Sequence, residues 1–182
     1  IGKQVLDLIA WWEKEAIATG QDIRGANPAP GNIAGGITTI EEKSLGCIYK
    51  GGTKILEEVI KYAFPPTKKG LILMDTPGHD IDQLTGMMAG GAQIAVFTTG
   101  RGTPTGSPIA PVIKITGNAE TARKMKDNID LNVNQVLQGK ETVKDAGKRV
   151  FDEMIAVASG KITKAEKLGQ RDFCIFKIGL NF

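Results

Sequence analysis

Three short apolar runs, at residues 71–74, 94–97 and 112–115, limit what this chain can become. Each is too short to lay down a helix face and is bounded by turn residues. The second and third are rich in β-branched side chains. Such runs read as strands buried on both faces of a sheet. Helical patterns surround them. Over residues 3–19, Val5, Leu8, Ile9, Trp12 and Ala16 form one stripe, which Gly20 ends. Residues 27–36, rich in Pro, Gly and Asn, read as irregular. A short helix starts near Ile40, and another is expected over 53–63, stopped by Pro65 and Pro66. Residues 82–90 fit a helix. The clearest one is 142–159, with Val143, Ala146, Val150, Met154 and Val157 on one side. A final strand is expected over 173–178.

Helices alternating with buried strands predict an α/β fold: layers with a short, mostly parallel sheet flanked by helices. A chain of 182 residues suits a single domain. Aromatic residues make up only 5%, so the core must come from Ile, Val, Leu and Ala. In open parallel sheets ligands lie beyond the carboxyl ends of the strands. Those ends read Asp75-Thr76-Pro77-Gly78, Thr98-Thr99-Gly100-Arg101-Gly102 and Thr116-Gly117-Asn118. All three are polar and contain glycine, so one shared site is expected there.

Charge excludes several classes. A net charge of +3 is too small to argue for nucleic acid, and the lysines of 124–148 are interleaved with Asp127, Asp130, Glu141 and Asp145. No apolar run approaches the ~20 residues of a membrane span. Cys47 and Cys174 lie far apart without a secretory leader, as expected of free thiols in the cytoplasm. Asp75-Thr76-Pro77-Gly78-His79 matches a magnesium-associated motif of translation GTPases. However, none of the Gly-Lys pairs at Lys3, Lys140 and Lys161 completes a phosphate-binding loop. A type II turn with Pro77 second and Gly78 third explains part of the motif, though not Asp75.

Longer motifs carry a resemblance. The segment GNIAGGITTIEEKSLGCIYKGG (31–52) follows an Asn-Pro-x-Pro stretch at Asn27. Together with 74–118, DNIDLNVN (127–134) and the tail 169–179, it resembles the C-terminal part of the altronate and galactarate dehydratases. Where that family reads Asn-Ala-Gly, this chain has Asn132-Val133-Asn134. The resemblance implies a C-terminal catalytic-type domain over 1–182, without the N-terminal half that full-length members carry. It implies a sugar-acid hydro-lyase using a divalent metal, Fe2+ or Mn2+ with Mg2+ as the alternative, and a related sulfolactate-cleaving activity. The partners expected are a small-molecule sugar acid, an N-terminal domain or subunit, and further copies in a homo-oligomer.

Dehydrating a hydroxy acid requires a base for the proton beside the carboxylate, stabilisation of the enediolate, and an acid for the departing hydroxyl. Arg101, between Gly100 and Gly102, suits a carboxylate clamp, with Thr98 and Thr99 as hydroxyl donors. The alternatives are a solvated loop arginine and β-branched strand ends. Asn32 is a further substrate contact. Glu41 and Lys43 are candidates for proton transfer, and His79, the only histidine, for ligand or acid. Asp75, Asp80 and Asp82 offer oxygen donors suited to a hard cation, with Glu42 as a fourth. Thr39-Ile40-Glu41-Glu42 also fits a capping box in which Glu42 folds back onto the Thr39 amide. Cys47 reads as a small buried hydrophobe, and Asp127 and Asp130 as caps or turn residues.

Overall fold

The computed structural model describes residues 1–20 and 27–175, which fall into two compact units. The first comprises Ile1–Ile60 and Pro66–Asp75, the second Lys61–Pro65 and Thr76–Phe182, so the chain crosses from one to the other more than once. The α/β character holds, and every strand pairing is parallel.

In the first unit, α1 (Gly2–Ala18), α2 (Pro30–Ala34) and α3 (Ile40–Lys50) precede a two-stranded sheet of β1 (Leu56–Ile60) and β2 (Leu71–Met74). Gly20 takes a positive φ of 70° just past α1, as a helix-ending glycine should. The amphipathic stripe forms, yet no residue of α1 is buried, and Trp11 and Trp12 meet edge-on at 4.8 Å. Pro30 opens α2 inside the stretch expected to be irregular, where its missing N–H costs nothing.

Residues 53–63 do not form the expected helix. Leu56, Val59 and Ile60 mimic a helical stripe, but β1 gains a parallel partner in β2, with Val59 opposite Leu73 and Ile60 opposite Met74. For short apolar runs the pattern alone cannot separate helix from strand, and pairing decides. The Glu58 carboxylate then accepts from the Thr67 amide and hydroxyl and the Lys68 amide, tying down the connection between the strands. Those donors hold its carboxyl below the usual range.

The second unit is built on β3 (Ala95–Thr98), β4 (Val112–Thr116) and β5 (Leu131–Asn132), with β4 in the centre. All five residues of β4 are buried, and alternation sends them to opposite faces. Val112 packs with Ala95 and with Leu84 and Met88 of α4 (Asp80–Ala89). Ile113 and Ile115 pack with Val150, Met154 and Val157 of α7 (Val143–Ala158). Short helices α5 (Ala119–Lys124), α6 (Asn134–Leu137) and α8 (Lys164–Lys167) complete the unit. These, like β5, are too brief for a periodicity argument to reveal. Of the expected final strand, residues 173–175 carry no strand, and 176–178 lie outside the described residues. No helix among the described residues is long and apolar enough to cross a membrane.

Lys114, on the central strand, is 0% exposed. Its ammonium donates to Pro104 O at 3.0 Å, Thr105 O at 3.1 Å and Gln170 Oε1 at 2.8 Å. Burial pushes its pKa below the ordinary lysine value, and Asp130 and Asp172 partly offset this. Because the folded pKa is lowered, the unfolded chain binds more protons between the two values. This group therefore adds stability as pH rises through that window. Lys114→Met should orphan the buried Thr105 carbonyl and two part-buried acceptors and cost ~2 kcal/mol in urea denaturation. The variant should also lack the wild type's gain in stability on approaching lysine's ordinary range.

Candidate functional site

The carboxyl ends of β3 and β4 lie side by side because Thr98 pairs with Ile115 in the parallel register. The Thr99 amide extends the ladder to Ile115 O at 2.9 Å. Beyond it the chain turns tightly. The Thr99 hydroxyl accepts from the Gly102 amide at 2.9 Å, and the buried Thr121 hydroxyl of α5 donates to Gly100 O at 2.7 Å. Gly102 has a φ of +87°, and a Cβ there would strike Met125 Sδ. The loop is thus pinned at both ends, with Arg101 exposed between them. Among the described residues the Arg101 guanidinium has no hydrogen-bond or ion-pair partner. Thr98 is exposed too, and the Thr99 hydroxyl keeps its own proton to donate. Of the three strand ends expected to share a site, those of β3 and β4 adjoin. The third, after β2, belongs to a separate sheet in the first unit.

A second concavity of the same unit lies at the start of α4, with a volume of about 490 Å³, lined by Gly78, His79, Asp80, Asp82, Thr105 and Cys174 among others. His79 is the N-cap in extended conformation, and its side chain caps nothing. Gly78 does not take the positive φ of a type II turn, so that reading of the Pro77-Gly78 pair is corrected. His79 and Asp80 are exposed, whereas Asp82 is only 7% exposed and its Oδ1 atom has no hydrogen-bond partner. The Tyr62 hydroxyl donates to the Asp82 backbone carbonyl at 2.8 Å. Burial and the Asp82 charge push the Tyr62 phenol up. The Cys174 thiol, hydrogen-bonded toward Asp82, is also raised.

The remaining candidates belong to the first unit. Lys43 Nζ donates to Asn27 Oδ1 at 2.7 Å and Asn32 Oδ1 at 3.3 Å, and the same Asn32 oxygen accepts from the Ala29 amide. Lys43 and Asn32 are therefore together, in a contact that also caps α2. The capping box is displaced by one residue. Thr39 Oγ1 accepts from the Glu42 amide, but the Glu42 carboxylate takes the Thr38 amide and hydroxyl, not the Thr39 amide. Thr38 reaches it because the chain enters the helix extended at Thr39. These bonds lower the Glu42 carboxyl. Glu41 is exposed. Asp75 Oδ1 accepts from Trp12 Nε1 at 2.9 Å, the role its turn left unexplained. Cys47 is exposed on α3, contrary to the buried reading, because α3 buries none of its residues. Asp130 is structural: its two oxygens accept the Lys114 and Lys164 amides.

The expected metal donors divide between units, Glu42 and Asp75 in the first and Asp80 in the second. Among the described residues no three His, Cys, Asp or Glu side chains come together in a way that could hold a metal ion. Sequence reasoning placed Asp82 among acidic neighbours but missed its isolation. It also missed Lys114, whose only signal was a lysine inside the apolar run Val-Ile-Lys-Ile.

The loop geometry makes a test. Gly102→Ala should destabilise by ~1–2 kcal/mol through the left-handed backbone alone, with a further loss from displacing Met125. Thermal unfolding should show this without loss of α/β circular dichroism.

Comparison with known proteins gives consistent results. The family description D-galactarate/Altronate dehydratase, C-terminal, matches residues 1–181. Galactarate dehydratase (L-threo-forming) of Escherichia coli is 40% identical over 161 residues, covering 88% of this chain and 31% of the relative. Altronate dehydratase of Bacillus subtilis is 37% identical over 177 residues, 97% of this chain and 35% of the relative. The (2R)-sulfolactate sulfo-lyase subunit beta of Chromohalobacter salexigens is 38% identical over 158 residues, 86% of this chain and 41% of the relative. The chain thus spans roughly a third of the length of the curated relatives it matches.

Proposed function

The chain belongs to the D-galactarate/altronate dehydratase C-terminal family, and from that premise we propose that it forms part of a hydro-lyase site for a sugar acid such as galactarate or altronate. The reaction would remove the proton beside the carboxylate, expel the β-hydroxyl as water, and leave a 2-keto-3-deoxy acid. The observation that carries the proposal is the Arg101 guanidinium, without a partner among the described residues, on a loop pinned beyond β3. A loop already fixed by its own hydrogen bonds loses little entropy on binding, and a planar guanidinium matches a carboxylate bidentately.

In this reading Arg101 holds the substrate carboxylate, and the Gly100 and Gly102 segment lets the anion approach the backbone. Thr98 and Thr99 donate hydroxyl protons to the same group, which accumulates negative charge as the enediolate forms. His79, uncapped and exposed at the start of α4, is the proposed acid for the departing hydroxyl. A divalent metal, Fe2+ or Mn2+ with Mg2+ as the alternative, belongs to the same proposal, and when bound it would supply Lewis-acid stabilisation of the enediolate. An N-terminal part or subunit belongs to the proposal because the relatives are about three times as long as the matched region.

Two other readings have specific support. The sulfo-lyase subunit is as similar to this chain as the dehydratases are. It would share proton removal and differ in the leaving group, so sulfite release without a keto-deoxy acid would favour it. A purely binding role is supported by the partial span and would be eliminated by turnover of the chain alone. Arg101→Ala should weaken sugar-acid binding by roughly tenfold or more in calorimetry, the equivalent of losing a charge-assisted hydrogen-bonded pair. Circular dichroism should stay unchanged. Normal affinity in that variant would remove the carboxylate clamp from the proposal.

A further inference from the structure

The start of α4 holds a group that the clamp at Arg101 does not use. Asp82 is buried to 7% exposure, and among the described residues its Oδ1 atom has no hydrogen-bond partner. A buried acceptor left unpaired costs ~1–3 kcal/mol, more when charged, so an isolated carboxylate oxygen is a functional signal rather than a packing convenience. Asp82 lines the cleft of about 490 Å³. At the same place the first amides of the ten-residue helix α4 receive no cap from the His79 side chain. The Cys174 thiol reaches the Asp82 carboxylate, but Oδ1 itself has no donor among the described residues and sits beside amides that have no side-chain acceptor.

The walls of this cleft are built. Lys114 Nζ holds Thr105 O and Gln170 Oε1 in place. The Cys174 amide is fixed to Thr85 Oγ1 of α4 at 3.1 Å, and the Gly106 amide donates to Asp172 Oδ2 at 3.1 Å. The Thr105 hydroxyl is already shared with Thr103 at 2.7 Å, so it does not satisfy Asp82. What fits is a ligand that gives a hydroxyl proton to a carboxylate and offers a neighbouring oxygen to amide donors.

We infer that this cleft recognises the hydroxyls of a polyhydroxy carboxylic acid, with Asp82 accepting from one hydroxyl and the first amides of α4 donating to an adjacent oxygen. Asp82 is then a specificity-determining residue, separating hydroxylated acids from their deoxygenated counterparts. A site built to hydrogen-bond a hydroxyl rejects an analogue lacking it, because the buried partner is left unpaired. The choice of ligand class rests on the sugar-acid reading above, whereas the need for a hydroxyl donor rests on Asp82 alone.

Cys174 lines the cleft and Cys47 is exposed in the first unit, so alkylation by iodoacetamide reports the site with an internal control. Galactarate at about ten times its Kd should slow alkylation of Cys174 roughly tenfold by mass action and leave Cys47 unaffected. Adipate, the same diacid without hydroxyls, should give no protection. Asp82→Asn, nearly equal in volume, should lose the protection by galactarate. Equal protection by adipate and galactarate, no protection by either, or full protection in Asp82→Asn would overturn the inference. Protection of Cys174 together with normal galactarate affinity in Arg101→Ala would leave this inference standing and remove the carboxylate clamp of the proposed function. Arg101-dependent galactarate binding with Cys174 unprotected would do the reverse.

Discussion

A lysine ammonium buried in the central strand of the second unit sets the terms for everything around it. Moving such a charge out of water is tolerable only when acceptors converge on it. Lys114 collects three, from two stretches of chain that would otherwise be surface loops. Pro104 and Thr105 are drawn in from the segment after the Arg101 loop, and Gln170 from the far end of the chain. The carboxylates of Asp130 and Asp172 stand near enough to moderate the cost. Once these loops are fixed, so are the residues next to them: Gly106 against Asp172, and Cys174 against Thr85. A single unfavourable burial thus organises the walls of a cleft.

The apolar packing of β4 and the polar work at its end follow the same alternation. Val112 and Ile113 face different helices, so α4 and α7 are held to opposite sides of a strand whose carboxyl end then emerges between loops. Parallel pairing puts the end of β3 next to it. Hydrogen bonds from Thr121 and to Thr99 finish the Arg101 turn without using the guanidinium. Cation and cleft therefore belong to one frame, built from groups whose own needs are already met. Asp82 is the exception, and for that reason the informative residue.

Much of this frame was legible in the amino acids. β2, β3 and β4 announce themselves as short apolar runs, and α7 as a long stripe with a threonine cap, Thr142, whose hydroxyl accepts from the Asp145 amide. The polar ends of β3 and β4 were identifiable as one place because strand ends in a parallel sheet share an edge. What escaped has a common cause. Leu56–Ile60 has the apolar spacing of a helix turn, and only its partner β2 makes it a strand. A lysine in an apolar run looks like a solvent-facing position until carbonyls remote in sequence surround it. The isolation of Asp82 depends on neighbours from residues 105 and 174. The Asp75 end belongs to a second sheet because β2 pairs with β1, a strand whose spacing reads as helix.

The exchange of segments between the units carries a consequence for how such a protein is divided. Cutting after Ile60 would strip β1 of β2, and cutting after Asp75 would carry Tyr62 away from α4. Tyr62 is closely fitted, since any side chain larger than hydrogen at Gly86 would overlap its ring. Neither half can be excised with one break and remain whole. The two are interlaced in sequence, so shuffling, truncation or gene fission within residues 60–76 is penalised whichever half is kept.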